Sequence, residues 1–462
     1  MKNFKKNILW IAPVTAIFVM VLMIANNWNF LSAFTIGITI ICALWWIFEP
    51  IPIPVTSLIP LGAFPISGVL SGEQVASAYG NPLILLLMGG AMLSKAMERS
   101  GAHKRLAISM IRLFGGDNPK TLVLGFMVAS AFLSMWVSNT ATTLMLIPVI
   151  FAVLENSNLQ KNNSGLAVAL LLGVAYAASI GGLGTPIGSP PNVIFLKIYG
   201  DTVGAEPSFL QWMLWGLPVV LIMTPISCVW LTRNLPSSGE ISIPKTGLWS
   251  SYEKRVLVIF AITALLWITL REPFGGWTTW FSLKGANYSS IALLAIVAMF
   301  IVPNGEEGKL LDWKAASDIQ WGVLLLFAGG LAIAKSFETT GISFAIGESL
   351  SGVTKFSIIL IVFITSICVT FLTEITSNTA TTALLMPILA ATAIGSGIDP
   401  MILMLPAALS ASCAFMLPVA TAPNAIVFGT EKIKVIRMVK EGFVLNLIGI
   451  LVISSVVMFW LN

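Results

Sequence analysis

The chain has 462 residues, of which 57% are hydrophobic and only 10% are charged. A soluble globular protein carries about 25% charged residues, so this composition and a mean hydropathy of +0.92 exclude that class and predict an integral membrane protein. The formal net charge of +5 does not indicate a nucleic-acid partner, because lysine and arginine accumulate in the cytoplasmic loops of membrane proteins.

Apolar runs long enough to cross a bilayer recur along the chain. The first run is longer than the apolar core of a signal peptide and no small-residue cleavage site follows it, so we interpret it as a retained transmembrane helix. The predicted simple spans lie near residues 8–25, 30–48, 54–70, 81–97, 209–231, 254–270, 289–302, 321–337 and 442–461.

Four further apolar segments are interrupted midway by polar, glycine or proline residues. Lipid-exposed backbone cannot be left without hydrogen bonds, so these interruptions must lie inside the protein or beside a watery cavity. Segments 120–156 and 356–395 are predicted to be re-entrant helical hairpins, which enter and leave the membrane on one side. Segments 165–199 and 401–429 are predicted to be broken helices.

Positive charge sets the predicted orientation. With a cytoplasmic N-terminus and both hairpins re-entrant, most lysines and arginines fall on the cytoplasmic side, and the C-terminus is extracytoplasmic. If either hairpin crossed the membrane, every later loop would change sides and the asymmetry would be lost. The basic residues left on the outer side are Lys197, Arg271, Lys284, Lys335 and Lys355.

Two halves of the chain resemble each other. The sequence SNTATT occurs at residues 138–143 and again at 377–382. In the predicted orientation the glycine-pair helix at 85–101 runs inward and its counterpart at 324–341 runs outward. The sequence therefore predicts an inverted repeat, which is typical of secondary transporters. The matching segments, in the same order, are 85–101 with 324–341, 131–148 with 370–387, and 184–195 with 416–428.

The duplicated polar motif falls where each predicted hairpin turns. Serine, asparagine and threonine favour turns and helix starts, and their oxygens suit a monovalent cation, whereas the free N–H groups of a helix start suit a carboxylate. A single motif of this kind is often packing between helices, but two copies favour a binding site. The candidate residues are Ser134, Ser138, Asn139, Thr140, Thr373, Thr376, Ser377, Asn378 and Thr379.

Prolines interrupt the two broken helices next to these motifs. The carbonyls of Gly188 and Ala420 are predicted to turn toward an ion, and the hydroxyls of Ser189 and Thr421 toward a substrate. No lysine, arginine or histidine lies near the repeated motifs, so an anionic substrate requires helix N-termini and bound cations to balance its charge. This pattern predicts coupling to sodium.

A few titratable residues have a structural alternative. Glu374 is a functional candidate as an intramembrane carboxylate, but we favour a role as a brace between the hairpin and its neighbours. His103 is predicted to lie on a solvated cytoplasmic face. Lys95 and Lys335 each precede a glutamate by three residues and are predicted to form local helix pairs. Segments 100–118 and 342–353 are predicted to be amphipathic arms at the membrane interface.

At residues 138–140, 377–379, 188–192 and 420–424 the sequence resembles the divalent anion:sodium symporter family, which carries C4-dicarboxylates and citrate. The resemblance implies an all-α homodimer with an elevator mechanism, an inverted repeat, about 11 transmembrane helices and two re-entrant hairpins per protomer. The implied scaffold comprises residues 1–119 and 232–355, and the implied transport domain comprises 120–231 and 356–462. One departure is Ala422, where relatives commonly have proline.

The resemblance also implies roles for individual residues. The implied first sodium site uses Ser134, Ser138, Asn139 and the Gly188 carbonyl, and the second uses Thr373, Asn378 and the carbonyls of Thr376 and Ala420. The implied dicarboxylate site lies between the two motifs and comprises Ser138, Asn139, Thr140, Ser189, Ser377, Asn378, Thr379 and Thr421.

The sequence therefore predicts a sodium-coupled transporter of C4-dicarboxylates such as succinate in the cytoplasmic membrane, with no organic cofactor. The alternative is a dicarboxylate exchanger without net sodium coupling. An enzyme is not predicted, because the sequence shows no histidine–cysteine cluster, paired carboxylates or nucleophile–base set.

Overall fold

The computed structural model describes residues 2–115, 118–155, 164–236, 247–283, 285–349 and 356–461. These residues form 23 α-helices and, apart from one isolated bridge between Pro303 and Lys309, no β-structure. The prediction of an all-α protein is confirmed. Lys161, Lys245, Lys284 and Lys355, which entered the predicted orientation, lie outside the described residues.

The helices follow the apolar runs of the sequence. In the first half they are α1 (Lys2–Ala25), α2 (Phe30–Phe48), α3 (Ile53–Thr56), α4 (Leu58–Ser67), α5 (Gly72–Tyr79), α6 (Pro82–Ser100), α7 (Ala102–Phe114), α8 (Pro119–Ser134), α9 (Asn139–Glu155), α10 (Ser164–Gly181), α11 (Pro190–Val203) and α12 (Phe209–Thr232). In the second half they are α13 (Ser251–Ile268), α14 (Gly276–Trp280), α15 (Tyr288–Ile301), α16 (Trp313–Ser317), α17 (Trp321–Thr339), α18 (Ile342–Ser349), α19 (Ile358–Thr373), α20 (Asn378–Ser396), α21 (Pro400–Ala411), α22 (Ala422–Phe428) and α23 (Val435–Leu461).

Seven helical regions among the described residues are long and apolar enough to cross a membrane. The number of crossings and the re-entrant course of the hairpins stay predictions. The predicted span at 54–70 corresponds to the apolar helical region Ile53–Ser67, in which a turn at Ser57 separates α3 from α4. The seven regions are Asn7–Ala25, Phe30–Phe48, Gly72–Ser100, Phe209–Thr232, Trp321–Thr339, Asn378–Ser396 and Val435–Leu461.

The two predicted interfacial arms begin at equivalent glycines. Gly101 ends α6 and Gly341 precedes α18, and both adopt a φ of 76°, which L-residues with a side chain rarely adopt. Helix α7 then buries Ala107, Ile108 and Ile111 against the rest of the protein. Residues 116–117 of the first arm and 350–353 of the second lie outside the described residues.

The halves interlock through matching contacts. Helix α6 packs on α15, and its repeat partner α17 packs on α4. The matching glycines Gly89 and Gly329 permit this close approach, because a Cβ at Gly89 would lie 2.6 Å from the Cβ of Ala292, and one at Gly329 would lie 2.7 Å from the Ser57 carbonyl oxygen. Helices of the first half therefore pack directly on helices of the second half at both glycines.

The interrupted segments also exchange partners across the halves. Helix α9, the second arm of the first predicted hairpin, packs on α22, and its counterpart α20 packs on α11. Because α11 and α22 each follow a helix break, the second arm of each hairpin lies against the helix that follows the break of the opposite half. This exchange brings both copies of the polar motif to one place.

Candidate functional site

Both hairpin turns line one large cavity of 1310 Å³. All eight residues predicted to bind substrate contribute to its wall, together with Gly188, Thr376 and Ala420. The two remaining predicted cation ligands, Ser134 and Thr373, are fully buried behind the wall. The cavity therefore gathers two motifs that lie far apart in the sequence.

The first turn places a hydroxyl against an amide oxygen. Helix α8 ends at Ser134 and α9 begins at Asn139, and the Ser134 hydroxyl donates to Asn139 Oδ1 at 2.5 Å. The Thr143 hydroxyl donates to the Asn139 carbonyl at 2.8 Å and so stabilises the start of α9. The two neighbouring oxygens of Ser134 and Asn139 are suited to share a cation once the hydroxyl hydrogen rotates away.

The second turn repeats this arrangement. The Thr373 hydroxyl has two acceptors for its one hydrogen, Asn378 Oδ1 at 2.6 Å and the Ala411 carbonyl oxygen at 2.9 Å, and Thr382 donates to the Asn378 carbonyl at 2.8 Å. Helices α9 and α20 both begin at the motif asparagine, so the N–H groups of each first turn lack intrahelical acceptors. Each turn thus offers oxygens for a cation and N–H donors for an anion.

The two helix breaks bring backbone oxygens to the same cavity. Gly188 packs so closely on Gly182 that a Cβ at Gly188 would lie 2.6 Å from the Gly182 carbonyl oxygen. The Ser189 hydroxyl lies 3.3 Å from that of Ser412, and the Thr421 hydroxyl oxygen accepts the Asn424 N–H at 3.2 Å while keeping its own hydrogen. Among the described residues no group of three His, Cys, Asp or Glu side chains is placed to hold a metal ion, so the available cation ligands are hydroxyls, amides and carbonyls.

Glu374 braces the second break. Its carboxylate accepts the N–H groups of Phe415 at 2.7 Å, Met416 at 2.9 Å and Leu417 at 3.0 Å, and the side-chain amide of Asn446 at 2.7 Å. Four donors satisfy both carboxylate oxygens, and the residue is 3% exposed. The favoured interpretation as a brace therefore agrees with the contacts. Its counterpart Met135 packs against Gly184 instead.

Replacing Glu374 with glutamine should lower the free energy of unfolding by roughly 3 kcal/mol, because the new NH2 group faces N–H donors and leaves them unpaired. Thermal unfolding in detergent measures this change. Glu338→Gln is the matched control, since Glu338 pairs with Lys335 on an exposed surface and should matter little. Equal unfolding temperatures for Glu374→Gln and the control would contradict the brace.

A group of charged residues also lines the cavity. Lys95 contacts Glu98 at 3.2 Å and Asp318 at 3.1 Å, so the predicted local pair is present and extends to a second carboxylate. His103 also lines the cavity. It was predicted on a solvated face, which is wrong: the ring is buried, its Nδ1 lies 2.8 Å from the Met97 carbonyl oxygen, and burial lowers the pKa of His103.

Sequence reasoning assigned no role to several residues that shape the site. Asn192 and Asn424 follow the prolines of the breaks and donate to break carbonyls, and Trp212 Nε1 donates to the Leu183 carbonyl at 2.9 Å. Ser412 partners Ser189. The duplicated Pro-Asn pair was the available signal for the two asparagines, whereas nothing in the sequence singled out Trp212 or Ser412.

Comparison with known proteins finds similarity to transporters over most of the chain. A family model described as a citrate transporter matches residues 43–407. The sodium-dependent dicarboxylate transporter SdcS of Staphylococcus saprophyticus is 40% identical over 97% of this chain and 90% of that protein. SdcS of Staphylococcus aureus strain USA300 is 40% identical over 92% of this chain and 85% of that protein.

Two solved structures share the fold at low sequence identity. The YdaH transporter of Alcanivorax borkumensis superposes with a TM-score of 0.61 at 14% identity, covering 86% of this chain and 88% of that one. Neisseria gonorrhoeae MtrF gives a TM-score of 0.57 at 12% identity, covering 86% and 84%.

Proposed function

The chain belongs to the citrate transporter family, as the resemblance of its motifs predicted, and from that premise we propose that it carries C4-dicarboxylates such as succinate across the membrane with sodium. It is a membrane transporter rather than an enzyme, since its relatives are transporters. SdcS, its relative by sequence over nearly the whole chain, is named for sodium-dependent dicarboxylate transport, which supports this substrate class.

One observation carries the proposal: two equivalent hydroxyl–asparagine pairs, Ser134 with Asn139 and Thr373 with Asn378, flank a single cavity. The first pair lies beside Gly188 and is proposed to hold one sodium ion. The second is proposed to hold another with the carbonyls of Thr376 and Ala420. The dicarboxylate then lies between them, against the starts of α9 and α20.

Electrostatics explain why cations and substrate bind together. The described turns at 134–143 and 373–382 and the breaks at 182–189 and 412–421 contain no lysine, arginine or histidine. A dianion moved from water into this cavity loses its hydration, and helix N-termini supply only partial positive charge. Bound sodium ions complete the balance, so the site binds the anion well only when they are present.

We infer from the predicted orientation that the cavity opens toward the cytoplasm. Its wall includes Glu49, Lys95, Glu98 and Asp318, all of which lie at predicted cytoplasmic helix ends. We therefore assign the structure to an inward-facing state. In the proposed elevator mechanism the transport domain, residues 120–231 and 356–462, moves against the scaffold, residues 1–119 and 232–355. The proposed assembly is a homodimer.

Accessibility of Val419 tests this assignment. Val419 lines the cavity and is 78% exposed, although it belongs to a helix break. A Val419→Cys variant, built with Cys368→Ser because Cys368 is exposed, should react with a membrane-impermeant thiol reagent from the cytoplasmic side. Sodium with dicarboxylate should slow the reaction.

Asn27→Cys supplies the control for sidedness, because Asn27 joins α1 to α2 on the predicted outer side and is exposed. It should react from the outside only. Labelling of Val419→Cys from the outside in preference to the cytoplasm would contradict the inward-facing assignment.

Uptake by proteoliposomes tests the proposed function. Vesicles with the protein in their membrane and no dicarboxylate inside should accumulate labelled succinate under an inward sodium gradient and not under a choline gradient. The exchanger alternative, which the missing proline at Ala422 keeps open, predicts uptake only when the vesicles are loaded with dicarboxylate. Uptake that ignores sodium in both conditions would overturn sodium coupling.

A further inference from the structure

We propose that Asn192 and Asn424 are positioning residues, which fix the carbonyls of Gly188 and Ala420 for sodium without contacting the ion. This inference rests on the proposed function and concerns how its two cation sites are built. Neither asparagine lines the cavity, whereas Asn139 and Asn378 both do.

The first asparagine clamps the first break. Asn192 is fully buried, and its side-chain amide donates to the carbonyls of Gly182 and Thr185, each at 2.8 Å. These carbonyls belong to the non-helical stretch between α10 and α11, where no helical N–H reaches them. Both side-chain amide hydrogens of Asn192 therefore bond to carbonyls of the break and stabilise its conformation.

The second asparagine repeats the clamp. Asn424 is also fully buried and donates to the carbonyls of Ala414 at 3.0 Å and Leu417 at 3.1 Å. The two acceptors stand ten and seven residues before the asparagine in both halves. Equal spacing in two halves whose intervening residues differ indicates that the clamp is a feature of the repeat.

The clamped carbonyl also closes the turn that ends on the ion-facing residue. Thr185 O accepts the N–H of Gly188 at 3.3 Å, and Leu417 O accepts the N–H of Ala420 at 3.2 Å. A shift of that acceptor therefore moves the residue whose own carbonyl is offered to sodium. Each asparagine controls the direction of this carbonyl through one intervening hydrogen bond.

In the first half the contacts continue to the hairpin turn. A Cβ at Gly182 would lie 3.1 Å from the side-chain oxygen of Asn139 and 3.2 Å from the Gly188 carbonyl oxygen. The clamped Gly182 therefore lies against two proposed ligands of the first sodium ion. Loosening it gives both ligands freedom, which weakens binding of the ion.

The side-chain oxygens of the two asparagines distinguish positioning from direct binding. Both oxygens are buried and have no hydrogen-bond partner among the described residues. If such an oxygen bound sodium, exchange to aspartate would strengthen binding by adding negative charge. If the amide N–H groups are what matters, aspartate weakens binding, because its oxygens face the two carbonyls that the amide held.

The experiment measures sodium-induced stabilisation of the purified full-length protein in detergent, with choline replacing sodium and no dicarboxylate present. The variants are Asn192→Ala, Asn192→Asp and Asn424→Ala. The half-saturating sodium concentration should rise about tenfold or more in each, as for residues that orient metal ligands from behind. In proteoliposomes, the dicarboxylate KM at saturating sodium should stay near that of the unaltered protein.

Ser366→Ala is the matched control, because Ser366 is a fully buried polar residue on α19 whose hydroxyl has no partner among the described residues. It should keep the sodium response of the unaltered protein. An unchanged sodium response in all three asparagine variants would overturn the inference, and tighter binding by Asn192→Asp would replace it with direct ligation. Failure of all three to fold where Ser366→Ala folds would assign the asparagines a structural role only.

A different result would contradict the proposed function itself. If sodium stabilises neither the unaltered protein nor the control, both the proposed sodium coupling and the positioning inference are wrong. If sodium stabilises the unaltered protein and all asparagine variants alike, only the inference falls.

Discussion

Replacing Asn139 or Asn378 with alanine should reduce sodium-driven dicarboxylate uptake by about 100-fold, because each change removes a proposed oxygen ligand, and such a contact with a charged group is worth about 2–3 kcal/mol. Each side chain also lines the cavity, where it would contact both a proposed sodium ion and the substrate. The loss should therefore affect sodium and dicarboxylate binding together. Initial uptake rates in proteoliposomes measure it.

The same variants should remain folded. The side-chain oxygen of Asn139 accepts from Ser134, and that of Asn378 accepts from Thr373, whereas Thr143 and Thr382 hold the starts of α9 and α20 through backbone carbonyls. Those backbone contacts survive the substitution. Asn26→Ala is the control, because Asn26 is exposed and its amide bonds only within its own turn. Full uptake by both site variants would remove the two asparagines from the site.

Replacement of sodium by choline should lower the affinity for a dicarboxylate by about 100-fold or more, because the turns and breaks that surround the proposed anion site supply only partial positive charges at helix starts. Equilibrium binding of labelled succinate to the detergent-purified protein measures this without transport. This binding measurement does not depend on whether the protein is a symporter or an exchanger.

Lys95→Gln provides the control for this second prediction. Lys95 is a cation in the cavity wall, but two carboxylates, Glu98 and Asp318, already neutralise it. The variant should keep the sodium dependence of succinate binding. Equal succinate affinity in sodium and choline would contradict the electrostatic argument, and a strong loss only in Lys95→Gln would transfer the role of counter-charge to that lysine.

Much of the fold follows from hydrophobic patterning. The predicted span at 30–48 coincides with α2, and the predicted interruptions at 120–156 and 356–395 fall where α8 meets α9 and α19 meets α20. The irregular turn at Ser57 was not predicted, because the apolar run continues through it. Pro60 was the local signal, since it has no N–H for the Thr56 carbonyl, which accepts the Cys42 thiol instead. The close approach of Gly329 to Ser57 joins distant segments and leaves no local pattern.

The candidate site divides in the same way. Duplication of the motif pointed to the residues of both turns, and the structure places the predicted cavity-wall residues around one space. The roles of Glu374, Asn192 and Asn424 depend on which backbone groups each helix break leaves unpaired. Those groups follow from the path of the backbone rather than from residue type, so the sequence does not show which carbonyls or N–H groups these side chains hold.

The central claim is that the two asparagine-bearing turns jointly enclose a dicarboxylate and its sodium ions. A cryo-electron microscopy map of the protein with sodium and succinate tests it most directly. The account predicts succinate density between the starts of α9 and α20, with one ion beside Asn139 and Gly188 and another beside Asn378 and Ala420. Succinate density elsewhere in the protein, with the space between the two turns filled by water alone, would contradict it.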